Sequence, residues 1–176
     1  GPKGVGALYC RRGINLQPIF YGGGQEGGAR SGTENVPGLV GLAAALEFCV
    51  KLRVKESARL TKLRDYFIER LLKFDGAVLN GSPRARLPNN VNVSFAAAAS
   101  EFVVLSLDAA GVACSSGSAC STNLKDSSYV IEAISGGDKR RAMEAVRFTL
   151  SRETTKADLD YVLKILPDIL NRARYG

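Results

Sequence analysis

The sequence predicts an α/β domain, and three observations predict it. Short apolar or alternating runs of strand length occur at 77–81, 91–95 and 145–151. Longer stretches between and after them repeat their apolar residues every three or four positions, as helices do. The composition, 45% hydrophobic and 23% charged, is that of an ordinary globular chain. At 176 residues the chain can bury a full core as one good-sized domain, or as a domain plus part of another.

In chain order, "VGALYCRR" (5–12) is an apolar run suited to a buried strand, and "LQPIFYGGG" (16–24) ends in three glycines. After the glycine-rich "GGGQEGGARSGTEN", apolar residues return at helical spacing through Leu42, Leu46, Cys49 and Val50, predicting a helix that begins near Pro37. A second helical pattern puts Leu60, Leu63, Phe67, Leu71 and Phe74 on one face and Lys62, Arg64, Asp65, Glu69 and Arg70 on the others, until Asp75-Gly76 stops it. "AVLNG" (77–81) reads as a strand, and "VNVSF" (91–95) alternates apolar and polar residues as a half-buried strand should. A helix near 100–110 leads through Gly111 into "VAC" and the cysteine-bearing loop at 115–128. "SSYVIEAIS" (127–135) is a short helix and "AVRFTLS" (145–151) a strand. The last helix carries a capping pair, Thr155 with Asp158, and Pro167 is expected to kink it.

No run approaches the roughly 18 apolar residues of a membrane span, because Pro37, Gly38, Gly41 and Glu47 interrupt the longest one; a soluble protein is expected. The opening "GPKGVGALYC" has neither signal-peptide nor transit-peptide character and reads as the inside of a fold. Twenty-four basic and seventeen acidic residues give a net charge of +7, but the basic residues are scattered or helix-bound and form no aromatic-interleaved stripe. A solvated helix face is the expectation, and no direct nucleic-acid binding. Four cysteines at irregular spacings, Cys10, Cys49, Cys114 and Cys120, suit a reducing, cytoplasmic compartment, or an organellar matrix in a eukaryote.

Chemistry points first to the loop at 115–128. Its residues are nearly all small or hydroxylated, so it can bury little, and a cysteine at its crown is an oxidation liability unless its reactivity is used. Cys120 is therefore a candidate nucleophile, although the chain has no histidine to serve as its base. An incidental surface thiol or a local disulfide with Cys114 are the alternatives, and two cysteines without histidine do not make a tetrahedral metal site. "GGGQEGGARSGT" offers backbone N–H groups near a helix start, where a phosphate could sit, but matches neither established glycine-rich phosphate pattern. Arg147 interrupts an apolar strand; it either bridges to an internal carboxylate or awaits a substrate carboxylate, for which its planar fork is suited.

Six segments, "GPKGVGALY", "GGGQE…RSGTENVPG", "LPNNVNVSF", "SSGSACS", "SSYVIEAI" and "VRFTLSRETTKADLD", together resemble the cysteine desulfurases of the NifS/IscS type, class V aminotransferase-like enzymes that use pyridoxal 5′-phosphate. The resemblance implies the C-terminal part of that fold: the end of the large cofactor domain over 1–40, and the small α/β domain over 41–176. It implies conversion of L-cysteine to L-alanine with the sulfur left on Cys120 as a persulfide, delivered to a sulfur acceptor or iron–sulfur scaffold protein. Arg147 matches the arginine that holds the substrate carboxylate. Thr33 matches a threonine that reaches the cofactor phosphate of the partner subunit in a homodimer, with Ser31 and Arg30 as adjacent candidates. The family's cofactor lysine falls before Gly1, as do the histidine that stacks on the cofactor and the aspartate that pairs with its ring nitrogen. Lys3, inside GPKG, does not match that lysine, so the chain alone is expected to be inactive. Gly27 stands where the family commonly has arginine, and Cys114 matches no catalytic residue. A selenocysteine lyase-like enzyme, a sulfur-relay module and one half of a split enzyme are the rival readings.

Overall fold

The computed structural model describes residues 1–117 and 127–175. The chain divides into two compact units, Gly1–Val54 and Lys55–Gly176. Among the described residues, no helix is long and apolar enough to cross a membrane.

In the first unit the chain runs without regular structure to a short 3-10 turn at Gln25–Gly28, then to helix α1 (Val36–Leu71), which continues into the second unit. Asn35 caps α1, its Oδ1 accepting from the Gly38 N–H at 3.1 Å. Gly41 allows Pro2 to lie against the helix: a Cβ there would come within 2.9 Å of the Pro2 ring. The expected strand at 5–12 does not form, and Leu8 and Tyr9 are 80% and 88% exposed. A strand needs a neighbour to take its backbone groups, and no described segment pairs with this one. Ile19 and Tyr21 are likewise exposed, as is Cys49, which the sequence pattern placed inside an apolar helix face. The two helical patterns predicted on either side of Lys51 are one continuous helix, since nothing between them breaks it: "KLRVKES" holds no glycine or proline.

The second unit is built on a four-stranded antiparallel sheet of order β1-β2-β4-β3, with β1 (Ala77–Leu79), β2 (Asn90–Phe95), β3 (Ser115–Ser116) and β4 (Ala145–Thr149). Strand alternation sorts its side chains into two faces. Val91, Val93 and Phe95 of β2, with Val146 and Phe148 of β4, form the apolar face, all of them buried. It is covered by Phe67 and Leu71 from α1, by Val103 and Leu107 from α2 (Ser100–Ala109), and by Leu159, Val162, Leu166 and Ile169 from α5 (Lys156–Tyr175). Phe67 meets Phe148 edge to face, with centroids 5.2 Å apart and planes at 82°.

The other face carries Asn92 and Ser94 of β2 with Ala145 and Arg147 of β4, and a small cluster of Ile131, Ala142 and Ala145. Ile131 and Ala142 come from two short helices, α3 (Tyr129–Ile134) and α4 (Lys139–Met143). Ser128 caps α3 through the Ile131 N–H, and Asp138 caps α4 through the Arg141 N–H. The capping pair of α5 is reciprocal as predicted: Asp158 Oδ2 accepts from the Thr155 N–H at 2.8 Å, and Thr155 Oγ1 accepts from the Asp158 N–H at 3.3 Å. The helix runs through Pro167 as a single element. Ahead of it, Arg59 of α1 donates to the carbonyls of Ser151, Arg152 and Thr154 while paired with Glu56, which pins the turn between β4 and α5.

Candidate functional site

Arg147 sits in the middle of β4. Its position is set by register: Asn92 of β2 stands directly opposite on one side and Ser115 of β3 on the other. Directly opposed residues of antiparallel strands share a face, so Asn92, Arg147 and Ser115 form one polar row across three strands, away from the apolar core. β3 opens the segment 115–128 that the sequence reads as a loop, and Cys120 itself lies outside the described residues.

Among the described residues Arg147 has no ion-pair partner, and its Nε is buried without a hydrogen-bond partner. Of the two possibilities the sequence left for this arginine, the internal carboxylate is therefore not found among the described residues. A buried N–H with no acceptor costs free energy that a folded chain rarely leaves unpaid, and a guanidinium can be satisfied only by acceptors.

Beside the row lies a polar relay that sequence reasoning missed. Arg141 of α4 donates from Nε to Asn80 Oδ1 at 2.6 Å and from Nη2 to the Leu79 carbonyl at 2.8 Å. Asn80 donates from Nδ2 to Asn92 Oδ1 at 2.7 Å and to Ser94 Oγ at 2.8 Å, and Ser94 Oγ donates to the Arg141 carbonyl at 2.7 Å. Asn80 and Ser94 are buried. The alternation of "VNVSF" marks Asn92 and Ser94 as sharing the non-core face, but their partners come from segments 12 to 47 residues away in sequence.

Cys114, two residues past Val112 and just before β3, is half-buried with its thiol pushed up to about 11, first by burial and then by the Asp108 carboxylate. A thiol raised in this way is little ionised at neutral pH, which lends no support to a nucleophilic role.

In the first unit, Arg30, Ser31 and Thr33 lie together just before α1. Gly32 between the two hydroxyl residues takes φ +108° and donates its N–H to Gln25 Oε1 at 3.2 Å. Arg30 stacks its guanidinium over the Phe20 ring at 5.2 Å and donates to the Ser31 carbonyl at 2.6 Å. Gly22 lets the preceding segment approach Ser31, where a Cβ would stand 3.1 Å from the Ser31 Cβ. Thr33 is exposed. Two hydroxyls and a guanidinium within four residues are a donor set that fits phosphate oxygens, so these residues fit the phosphate end of a pyridoxal 5′-phosphate cofactor.

The model of the class-V aminotransferase family matches residues 1–162. "Cysteine desulfurase IscS 1" of Archaeoglobus fulgidus is 48% identical over 99% of this chain, and "Cysteine desulfurase IscS" of Dictyoglomus turgidum is 46% identical over a like span. These alignments take in 45% and 44% of the two relatives, so the chain spans less than half the length of either. Among solved structures, a "NifS-like protein" superposes with a TM-score of 0.81 at 34% identity, over 93% of this chain and 41% of its own. A second NifS-like protein, from Rickettsia africae, shares the fold with a TM-score of 0.77 over 90% of this chain and 41% of its own. Sequence and fold agree: the chain belongs to the class-V aminotransferase family.

Proposed function

We propose that the chain is the carboxy-terminal portion of a cysteine desulfurase, with residues 1–40 closing its large cofactor domain and residues 41–176 forming its small domain. The likeness to proteins named cysteine desulfurases supports this reading. So does the exposure of Leu8, Tyr9, Ile19 and Tyr21, apolar surface that a larger domain would cover. The observation that carries it is Arg147: a buried guanidinium Nε without an acceptor, on a polar sheet face and paired in register with Ser115, the first residue of SSGSAC.

In this reading Arg147 takes the carboxylate of L-cysteine in its planar fork and so fixes the substrate's orientation. The Cys120 thiolate attacks the substrate sulfur. An S–S bond forms, the C–S bond breaks with its electron pair left on the substrate carbon, and protonation of that carbon gives alanine. The former substrate sulfur remains as the outer atom of a persulfide on Cys120. When bound, pyridoxal 5′-phosphate would supply the electron sink for the bond cleavage, and Thr33, Ser31 and Arg30 would hold the phosphate of the partner subunit's cofactor in a homodimer. The lysine that would anchor it is one that the family resemblance puts ahead of Gly1. From Cys120 the sulfur passes to an acceptor or iron–sulfur scaffold protein, and the small, hydroxylated residues of the loop suit such a carrier.

The test is L-cysteine turnover by this chain co-expressed with the amino-terminal part of a relative. Alanine production that is lost in both Cys120→Ser and Arg147→Met supports the reading. Turnover that survives either change refutes the role given to that residue.

A further inference from the structure

We infer that Asn92 is a second carboxylate-recognising residue, a specificity determinant whose amide is oriented for the task by Arg141 through Asn80. The inference rests on the reading of Arg147 given above.

The argument follows the direction of the hydrogen bonds. Arg141 can only donate, so the Asn80 atom it meets at 2.6 Å must be the carbonyl oxygen, Oδ1. That fixes the Asn80 amide, and its Nδ2 must face the other way, toward Asn92 and Ser94. Asn80 Nδ2 is a donor, so the Asn92 atom facing it at 2.7 Å is Oδ1. The Asn92 Nδ2, with two N–H groups, is thereby directed away from Asn80. One arginine on α4 thus sets the polarity of a side chain on β2.

Asn92 is also the residue directly opposite Arg147 in the β2–β4 ladder, on the same face of the sheet. Arg147 has no acceptor atom, and the Asn92 Oδ1, which accepts from Asn80, does not serve the Arg147 Nε. The donors themselves, the Arg147 Nε–H and the Asn92 Nδ2, cannot satisfy each other. What completes them is an acceptor carrying negative charge, and the buried, partnerless Arg147 Nε marks the same need. A carboxylate has two oxygens and about four lone-pair sites, enough to accept from the guanidinium and from an amide beside it. Asparagine suits this place better than aspartate, which would offer Arg147 an internal partner and exclude the ligand.

The test reads ligand binding on this chain, without cofactor. The Arg147 Nε–Hε resonance, assigned by its loss in Arg147→Lys, is followed by NMR as L-alanine is added, with alaninol, which lacks the carboxylate, as the control. In the wild type a saturable shift with L-alanine and none with alaninol is expected. Asn92→Asp keeps an oxygen for Asn80 Nδ2 and the same shape, so it should fold, yet it should weaken L-alanine binding by about tenfold or more, the scale of a charge-assisted hydrogen bond. Asn80→Asp, which removes the donor that orients Asn92, should weaken it in the same direction. Wild-type affinity in Asn92→Asp, with the Arg147 response intact, overturns the role of Asn92 and leaves that of Arg147 standing. A wild-type protein that gives no L-alanine response overturns both.

Discussion

Replacing Arg147 with methionine should stabilise the second unit while removing its ligand. Methionine keeps an unbranched stem in the same strand position, and among the described residues Arg147 gives up no ion pair when it is removed. What is removed is a buried N–H without an acceptor, a defect that costs about 1–3 kcal/mol. Some of that gain is offset by imperfect packing of the new side chain, so a net stabilisation of about 1–2 kcal/mol is expected. With a urea slope of about 2 kcal/mol per molar, the unfolding midpoint should rise by about 0.5–1 M. The assay is urea unfolding followed by circular dichroism, with the slope checked to be unchanged. A midpoint that falls by about 0.5 M or more would show that Arg147 is held by a structural partner, and the carboxylate argument would lose its basis. A stabilised but inactive variant is the pattern of a residue kept for function at the expense of the fold.

Other consequences follow from the same structure. Phe67→Ala removes a fully buried ring and its edge contact with Phe148, and should cost about 3–5 kcal/mol in urea unfolding; a loss below about 1 kcal/mol would mean that α1 is not part of this core. Arg59→Met frees the carbonyls of 151, 152 and 154, and should cost about 1–2 kcal/mol and speed amide exchange at 152–155; unchanged exchange there would contradict the pinning role. The Asp158 carboxyl is held below its ordinary value, first by the Thr155 N–H and then by its hydroxyl. Its contribution is therefore present above the ordinary carboxylate range and lost as pH falls through the lowered value, and Thr155→Ala should flatten that acid limb of the stability profile. Cys114, with its thiol near 11, should alkylate far more slowly at neutral pH than the exposed Cys49; equal rates would contradict its burial.

The second unit was largely legible in the sequence because its signals are local. "VNVSF" alternates, "AVRFT" is apolar around one arginine, and Leu60, Leu63, Phe67 and Leu71 repeat at helical spacing. β1, β2, β4, α2, α3 and α5 fall where those patterns put them. α4 was missed because it is five residues long and mostly basic, although Asp138 three residues before Arg141 is a capping signal. β3, two residues long, has no periodicity to read. The strand expected at 5–12 failed for a different reason: apolar content permits a strand, but only a pairing partner makes one.

At the site, Arg147 was legible as a charge in the wrong company. Asn92, Asn80 and Arg141 were not, because each is an ordinary polar residue until strand register and the cap of α4 bring them together. Neither composition nor spacing carries that information. Thr33, Ser31 and Arg30 came from the resemblance, and the structure adds the local donor set around Gly32.

The central claim is that Cys120 receives the sulfur of L-cysteine while Arg147 holds the carboxylate. The most direct measurement is the mass of the Cys120 peptide, recovered under non-reducing conditions after L-cysteine is added to the chain complemented by the amino-terminal part of a relative. The account predicts that peptide heavier by one sulfur atom in the wild type, and unmodified in Arg147→Met at the same substrate concentration. Alanine formed with the Cys120 peptide unchanged, and the added sulfur on another cysteine, would contradict it.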